Sequence, residues 1–418
     1  MGVRKYLNNS LVKNITNLFI IEGANHLLPI IALPFLFRTL GAEIYGVVAS
    51  AYSFFVFLNI VIDFGFNLST TREISLCAND INKINKIVTK TLLAKLLLAL
   101  LTLIISAFII EGNENFRLHH EIFYFMIGIP IGSCFFPVWF FQGVEKMGYM
   151  TFTTTMSKLL SFLPMFLIVR GPEDAIFVSL CYSVGFMVSS IICIRLLYIR
   201  FNVKFITVSF AEVKEAFVAS APYFMSRISA SLYGVGNTSL LGMICGPTMA
   251  GYYDISQKMV LAFTTLVSPV STALYPYMIR SKNIKTFKTI IGFGSIIGIV
   301  CCLIFMVLAP FLLDFLFNES NEITISTFRL LSLCVAFVVP SYLLGYPFLA
   351  ALGHTKYTNT TVIIAGAFYL LFAAIGTVSD WFTIYYAAML YLGCEFLVFL
   401  FRIYGVVKYK IFSNGKEY

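Results

Sequence analysis

Charge is what this chain has least of. Of its 418 residues, 12% are Asp, Glu, Lys or Arg, against roughly a quarter in ordinary soluble domains. With 59% hydrophobic residues and a mean hydropathy of +0.88, a soluble globular protein is excluded. The nine cysteines (77, 134, 181, 193, 245, 301, 302, 334 and 394) form no C-x-x-C and no Cys/His cluster. They read as small apolar fillers, with no metal or redox role expected. There is no G-x-x-x-x-G-K-[ST] loop, so no ATPase is built in. No catalytic constellation appears, and no loop is long enough to carry one, so an enzyme is not expected. Low-complexity tracts and flexible linkers are absent as well.

What the chain does have is hydrophobic stretches of membrane-spanning length, repeated from end to end. Twelve spans are predicted, at about 14–37, 45–68, 88–110, 121–141, 150–169, 175–198, 215–243, 250–278, 287–312, 323–350, 359–376 and 382–407. The expected fold is therefore an all-α polytopic membrane protein. Connections run to no more than about twenty residues and leave no room for a soluble domain. No small-residue cleavage site follows the basic residues Arg4, Lys5 and Lys13, so the first span is expected to be retained. Aromatic residues, 16% of the chain, are expected mostly at lipid-facing and interfacial positions.

Basic residues set the expected orientation. With the N-terminus inside, the inner segments hold Arg72, Lys83, Lys86, Lys146, Arg200, Lys204, Arg280, Lys282, Lys285, Lys356, Lys408, Lys410 and Lys416. The outer segments hold Arg38, Arg117 and Arg170. By the positive-inside rule both termini face the cytoplasm. The net charge of +9 thus follows membrane topology and does not call for nucleic acid.

Two internal echoes point to a duplication. An offset of 205 aligns Gly41 with Gly246 and Gly46 with Gly251; an offset of 210 pairs Pro130 with Pro340, Pro137 with Pro347, Gly143 with Gly353 and Lys146 with Lys356. The offset holds six spans, an even number, so the halves share one orientation. Two six-helix lobes are expected, 1–205 and 206–418, related by an axis along the membrane normal, an architecture known in transporters.

Ionisable residues inside spans are costly in hydrocarbon and mark candidate sites. Glu22, Asn25 and His26 share one helical face near the middle of the first span. At the first offset Glu22 corresponds to Arg227, so symmetry-related positions carry opposite charges; a buried pair holding the lobes together is the plainer alternative. Lys258 and Arg329 add two more cations to the second lobe, and such groups suit phosphate. Asp254, one turn before Lys258, is positioned to pair with it. Asn59, Asp63 and Asn67 form a stripe near the inner end of the second span. Asp63 opens DFGFNLSTTREIS, where Gly65 suggests a bend; capping or pairing with Arg72 is the plain reading of the carboxylate. Glu395 is a candidate cavity or coupling-ion residue, and Glu22 with His26 a candidate proton relay. Lys95 and Lys158, about two turns from inner ends, are expected to snorkel.

The first-span polar face, LGAEIYGVVASAYSFF, DFGFNLSTTREIS and FFQGVEKMGYMT together resemble the polysaccharide-transport branch of the multidrug/oligosaccharidyl-lipid/polysaccharide exporter superfamily. More narrowly, the chain is similar to O-antigen repeat-unit flippases of the Wzx type, over essentially its whole length. The resemblance implies translocation of an undecaprenyl-pyrophosphate-linked oligosaccharide from the cytoplasmic to the periplasmic leaflet of a Gram-negative inner membrane. It also implies alternating access, no bound cofactor, coupling to H+ or Na+, and association with a polysaccharide polymerase and a chain-length regulator. Arg227, Lys258 and Arg329 would meet the pyrophosphate, Glu22, Asn25 and His26 would line the lumen, and Glu22, His26, Asp63 and Glu395 would serve coupling or gating. Two rivals stand beside this reading. A multidrug cation antiporter of the same superfamily would prefer an acidic cavity. A lipid-linked polysaccharide polymerase would carry a large periplasmic loop, whereas the longest outer loop here is about ten residues.

Overall fold

The computed structural model describes residues 2–77, 80–265, 267, 270–271, 274–275, 278–279 and 284–409, with side chains from Leu28 onward except that of Lys285. Among these residues it is all helix and connection. Helix α1 (Gly2–Asp63) is followed by α2 (Phe66–Leu76), α3 (Ile81–Gly112) and the short α4 (Glu114–Arg117) and α5 (His120–Phe125). Then come α6 (Gly128–Cys134), α7 (Val138–Gly143), α8 (Met147–Ile168) and α9 (Ala175–Phe201). The second half holds α10 (Phe210–Tyr233), α11 (Val235–Ile244), α12 (Pro247–Thr265), α13 (Ile284–Phe317), α14 (Glu322–Leu344), α15 (Thr355–Val378) and α16 (Ile384–Lys408).

Nine stretches among the described residues are long and apolar enough to cross a membrane, the first running from Leu28 to Leu76. That first stretch holds two crossings, because α1 breaks at Gly41 (φ 75°, ψ 164°). The pair α10–α11 and helix α12 supply two more, which makes the expected twelve. In lipid this outcome is forced: a spanning segment must satisfy its own backbone, and the helix does so internally. Where helices start, side chains take the orphan N–H groups. Asp80 accepts from the Lys83 amide (3.1 Å), Ser209 and Glu212 form a reciprocal capping box on α10, and Asn321 accepts from the Ile323 amide (2.8 Å).

The duplication is visible in the backbone. Gly41 and Gly246 both turn the chain at positive φ, 75° and 87°, a conformation that costs other residues. Five residues beyond Pro130 the chain leaves α6 at Phe135, and five beyond Pro340 it enters a π-turn, Gly345–Ala350. The equivalent prolines thus precede equivalent irregularities.

The halves cross where the echo predicts symmetry. A Cβ on Gly46 would lie 1.8 Å from the Pro247 carbonyl oxygen, and one on Gly251 would lie 2.6 Å from that of Ala42. Since 42 and 46 map onto 247 and 251 at the offset of 205, each half makes the same contact on the other. Packing without a hydrophobic drive between helices relies on such small-residue approaches. From this crossing, contacts between the halves continue along one side. Gly242 packs against Ser50 and Gly236 faces Phe57, and at the far end Gly65 (φ 79°) lies against the α10 backbone at Ser220 and Phe224. The two ends of the bundle are named below by Gly41 and Gly65.

Aromatic placement follows the expectation in part, with Phe108, Phe293, Phe311 and Phe315 exposed, while others fill the interior. Phe55, Phe66, Phe116, Phe123, Trp139, Phe140, Phe141, Tyr253, Phe287, Phe317 and Phe328 are among the fully buried side chains. Offset rings fill the gaps that kinked helices leave, as in Phe116–Phe123 (4.3 Å between centroids) and Phe64–Phe224 (4.4 Å). Exposed apolar residues include aliphatic runs, as along α3 with Leu97, Leu100, Leu101, Ile104 and Ile105. Of the cysteines, Cys134, Cys181, Cys193, Cys302, Cys334 and Cys394 are buried and all nine are free thiols.

The crossing yields a test. Gly46→Ala should lower the melting temperature of the detergent-solubilised protein, by a destabilisation of about 1–3 kcal/mol for overpacking. Gly148→Ala, whose Cβ would meet nothing within 4 Å, should leave it unchanged. Equal melting of both variants would contradict the close crossing.

Candidate functional site

On the side away from the continuous contact, the halves enclose a cavity of about 530 Å³. Its wall comes from both: Pro29–Pro34 and Tyr45–Tyr52 of α1, Thr154–Phe162 of α8, Tyr182 and Phe186 of α9, then Lys258–Thr265 of α12 and Leu316–Phe317 of α13. Most of that surface is apolar. Two cations, Lys158 from the first half and Lys258 from the second, stand in it with Ser133, Thr154, Ser157, Ser161 and Thr265. The size falls within the range of sites for small ligands and head groups.

Lys258 reaches the cavity from one turn below Asp254, whose carboxylate it meets at 2.6 Å. The same Asp254 oxygen, Oδ2, accepts the Tyr45 hydroxyl at 2.5 Å, across the boundary between the halves. Lys258 also lies 6.0 Å from the Tyr45 ring centre and 5.7 Å from that of Tyr52, a distance at which a ring face attracts a cation. Asp254 is 1% exposed, whereas the Lys258 side chain keeps 36% of its surface open. The acid sits inside the wall and the base at its surface.

A second charged cluster lies near the Gly65 end. α1 stops at Asp63 because Phe64 and Gly65 both take positive φ, the bend expected there. Asp63 Oδ2 receives Arg227 of α10 at 3.1 Å, again across the halves, and Oδ1 lies 3.4 Å from Lys95 of α3. Lys95 also donates to the Ser133 carbonyl oxygen at 2.9 Å, and Asn67 donates to Asp63. Around it the halves meet through Ser69 and Ser220 hydroxyls (2.5 Å) and through Lys86 with Glu212.

The structure therefore redistributes the residues singled out from sequence. Lys258 lines the cavity and pairs with Asp254 as anticipated. Lys158 lines it too, and Lys95, 1% exposed, is not the snorkelling lysine expected from its distance to a span end. Arg227 joins Asp63, and Asp63 takes Arg227 and Lys95 in place of Arg72. Arg329 does not line the cavity; its Nε donates to the Met306 carbonyl oxygen at 3.1 Å, between α14 and α13. Glu395 lies on α16 inside the second half. The side chains of Glu22, Asn25 and His26 lie outside the described residues. Arg402, not singled out from sequence, is buried on α16 and donates to the Ser341 carbonyl oxygen (2.6 Å) and hydroxyl (3.1 Å). Among the described residues no group of three or more His, Cys, Asp or Glu has the arrangement to hold a metal ion.

Comparison with known proteins bears on this arrangement. Residues 11–282 match the family described as "Polysaccharide biosynthesis protein". Two curated relatives are both named "Putative O-antigen transporter". The one from Escherichia coli (strain K12) is 26% identical over 368 residues, 87% of this chain and 89% of the relative. The one from Shigella dysenteriae is 28% identical over 367 residues, 86% of this chain and 91% of the relative. Among solved structures, the fold is similar to "Lipid II flippase MurJ, inward closed conformation" with a TM-score of 0.75 at 14% identity, covering 93% of this chain and 87% of that one. It is also similar to an inward-facing "multidrug resistance MATE family transporter of the MOP superfamily", with a TM-score of 0.66 at 14% identity, covering 94% and 100%.

The Asp63 cluster makes its own prediction. Asp63→Ala leaves Lys95 uncompensated in the bundle and should cost about 3–5 kcal/mol, read as early thermal unfolding in detergent. Adding Lys95→Met should recover most of that loss. A double variant as unstable as Asp63→Ala would mean that the carboxylate acts through something other than Lys95.

Proposed function

Because the chain belongs to the polysaccharide biosynthesis protein family, we propose that this multi-pass membrane protein is a flippase for lipid-linked oligosaccharides. The observation that carries this reading is the cavity shared by the two halves, with Lys158 and Lys258 set in an otherwise largely apolar wall. An undecaprenyl pyrophosphate-linked repeat unit has the matching parts. Its diphosphate meets the lysines, whose ammonium groups bind phosphate as point charges. The serine and threonine hydroxyls and the tyrosines meet sugar, and the polyprenyl tail stays in lipid. Named relatives of O-antigen type support the same substrate class.

Transport follows from alternating access, the halves rocking about the Gly46–Gly251 crossing while the cavity is exposed first to one face and then to the other. The Asp63–Arg227 contact closes the Gly65 end in this arrangement. Its breakage is part of the cycle; Asp63 keeps Lys95 as a partner, and the Arg227 side chain, 42% exposed, turns to water. No nucleotide loop is present in the sequence, so the driving force is an ion gradient, H+ or Na+, for which Glu395 and the first-span pair Glu22 and His26 are the candidate carriers. The basic residues at the Gly65 end, Arg72, Lys83, Lys86, Lys146 and Lys204, support a cytoplasmic position for that end and an inner-membrane location, with movement toward the periplasmic leaflet. Association with a polymerase and a chain-length regulator fits a product delivered to that leaflet.

Two cavity cations favour an anionic head group over the organic cations of a multidrug antiporter. Deletion of the gene in its own host is the test, followed by lipopolysaccharide gels and extraction of lipid-linked intermediates. The expected result is loss of the O-antigen ladder with single units accumulating on the cytoplasmic leaflet, restored by the wild-type gene and not by Lys258→Gln at equal protein level. Units that reach the periplasmic leaflet without polymerising would indicate a polymerase instead. An unchanged ladder with altered drug tolerance would indicate an antiporter.

A further inference from the structure

The cavity lysine is already occupied. Asp254 lies 2.6 Å from Lys258 and is the anion that Lys258 holds when the cavity is empty. The same carboxylate oxygen is tied at 2.5 Å to Tyr45 of the other half. We propose that Asp254 is an internal stand-in for the substrate's phosphate, and that a diphosphate taking Lys258 from it unties the halves at the Gly41 end. This rests on the reading of the cavity as a head-group site and adds a way for the site to report that it is filled.

The geometry supports each step. Lys258 is part of the cavity wall and Asp254 is not, so a ligand reaches the ammonium group without passing the acid. A diphosphate carries more negative charge than one carboxylate and competes for the same point charge. Once Lys258 turns to the ligand, Asp254 is left at 1% exposure with a tyrosine hydroxyl as its named partner. A carboxylate so placed is costly to keep ionised and buried. The strain is relieved by moving the carboxylate toward water, and Tyr45 loses its acceptor. Tyr45 is well placed to transmit this, because its ring lines the cavity while its hydroxyl crosses to α12. It also lies one residue before Gly46, where the halves cross most closely. Other ties at this end among the described residues are Arg38 with the Phe315 carbonyl oxygen, and Asn113 (3.1 Å) and Asn115 (3.0 Å) with that of Met243. They end on backbone acceptors of residues outside the cavity wall, and the Arg38 tie lies next to the lining residues Leu316 and Phe317. Asp254 therefore determines both how tightly the lysine is held in reserve and when the Gly41 end lets go.

The test is equilibrium binding of undecaprenyl pyrophosphate to the full chain in lipid nanodiscs, with undecaprenol as the tail-only control. Spin labels at Glu43 and Ile244, on a cysteine-free background, report the separation of the halves at the Gly41 end. Lys258→Gln should bind the diphosphate about tenfold more weakly, and Asp254→Asn about tenfold more tightly, each equivalent to ~1.4 kcal/mol. The diphosphate should lengthen the label distance in the wild type, and Asp254→Asn should show the longer distance without ligand. A purely structural aspartate would not raise affinity when neutralised. If Lys258→Gln weakens binding but Asp254→Asn does not tighten it, the stand-in role is overturned while the head-group site stands. If Lys258→Gln binds normally, the head-group reading falls and this proposal with it. Should Asp254→Asn not yield monodisperse protein, Tyr45→Phe decides: an unchanged label distance in that variant overturns the proposal.

Discussion

A carboxylate buried in a lipid-immersed bundle meets little water while the halves are closed, and this constraint shapes both interfaces between them. Asp63 and Asp254 sit near opposite ends of the bundle, and each is held by groups from its own half and by one from the other, Asp63 also accepting from Asn67. Asp63 has Lys95 at 3.4 Å and Arg227 at 3.1 Å; Asp254 has Lys258 at 2.6 Å and Tyr45 at 2.5 Å. The within-half partner keeps the acid from becoming a lone buried charge when the halves part. The cross-half partner makes the parting cost something, but not the full penalty of an orphaned ion. A bundle that must open can hold itself shut in this way without being locked.

Between these two polar ties the contacts described between the halves are close packing, as at Gly46, Gly242 and Gly236. Gly46 against Pro247 and Gly251 against Ala42 are the same contact made twice, as duplication predicts when both copies lie on the symmetry axis. Such a contact resists compression, since any side chain on Gly46 would strike a carbonyl oxygen. It makes few demands on rotation, because neither glycine has a side chain to interlock. A smooth, close crossing flanked by breakable polar ties is the mechanical arrangement that a rocking pair of lobes requires.

The sequence made the frame legible, and the reasons are physical. Lipid leaves the backbone helices or closed barrels, and apolar runs of about twenty residues select the helix, so span number and the all-helical fold follow from hydropathy. Glycine and proline punctuate helices wherever they fall, so the pairs Gly41/Gly246 and Pro130/Pro340 announced the duplication before any contact was known. Lys258 with Asp254 was legible because i and i+4 on a helix are neighbours whatever surrounds them. Partners that meet across helices were not legible. Symmetry relates Arg227 to Glu22, whose side chain lies outside the described residues, and gives no sign that span 2 runs beside α10 and brings Asp63 to Arg227. Lys95 looked like a snorkelling lysine because its distance from a span end is all that sequence offers. The Ser133 carbonyl that receives it belongs to another helix, at the turn where that helix ends before Phe135. Arg329 counted as a cavity cation by composition, whereas the carbonyl of Met306 on the adjoining helix holds it.

The aromatic residues carry the same lesson into function. Assigned by composition to the lipid interface, many of them fill the interior, where helices interrupted at Gly41, Phe64, Phe135 and Gly345 cannot pack as straight rods. Those interruptions also give the cavity its shape, since α1 turns at Gly41 and so contributes two separate walls, Pro29–Pro34 and Tyr45–Tyr52. A tyrosine on the second wall can then face the ligand with its ring and the other half with its hydroxyl. The kink that defines the duplicated frame is thus what brings a cavity-lining residue into the seam between the halves. Occupancy of the site and closure of the Gly41 end are thereby placed on one side chain.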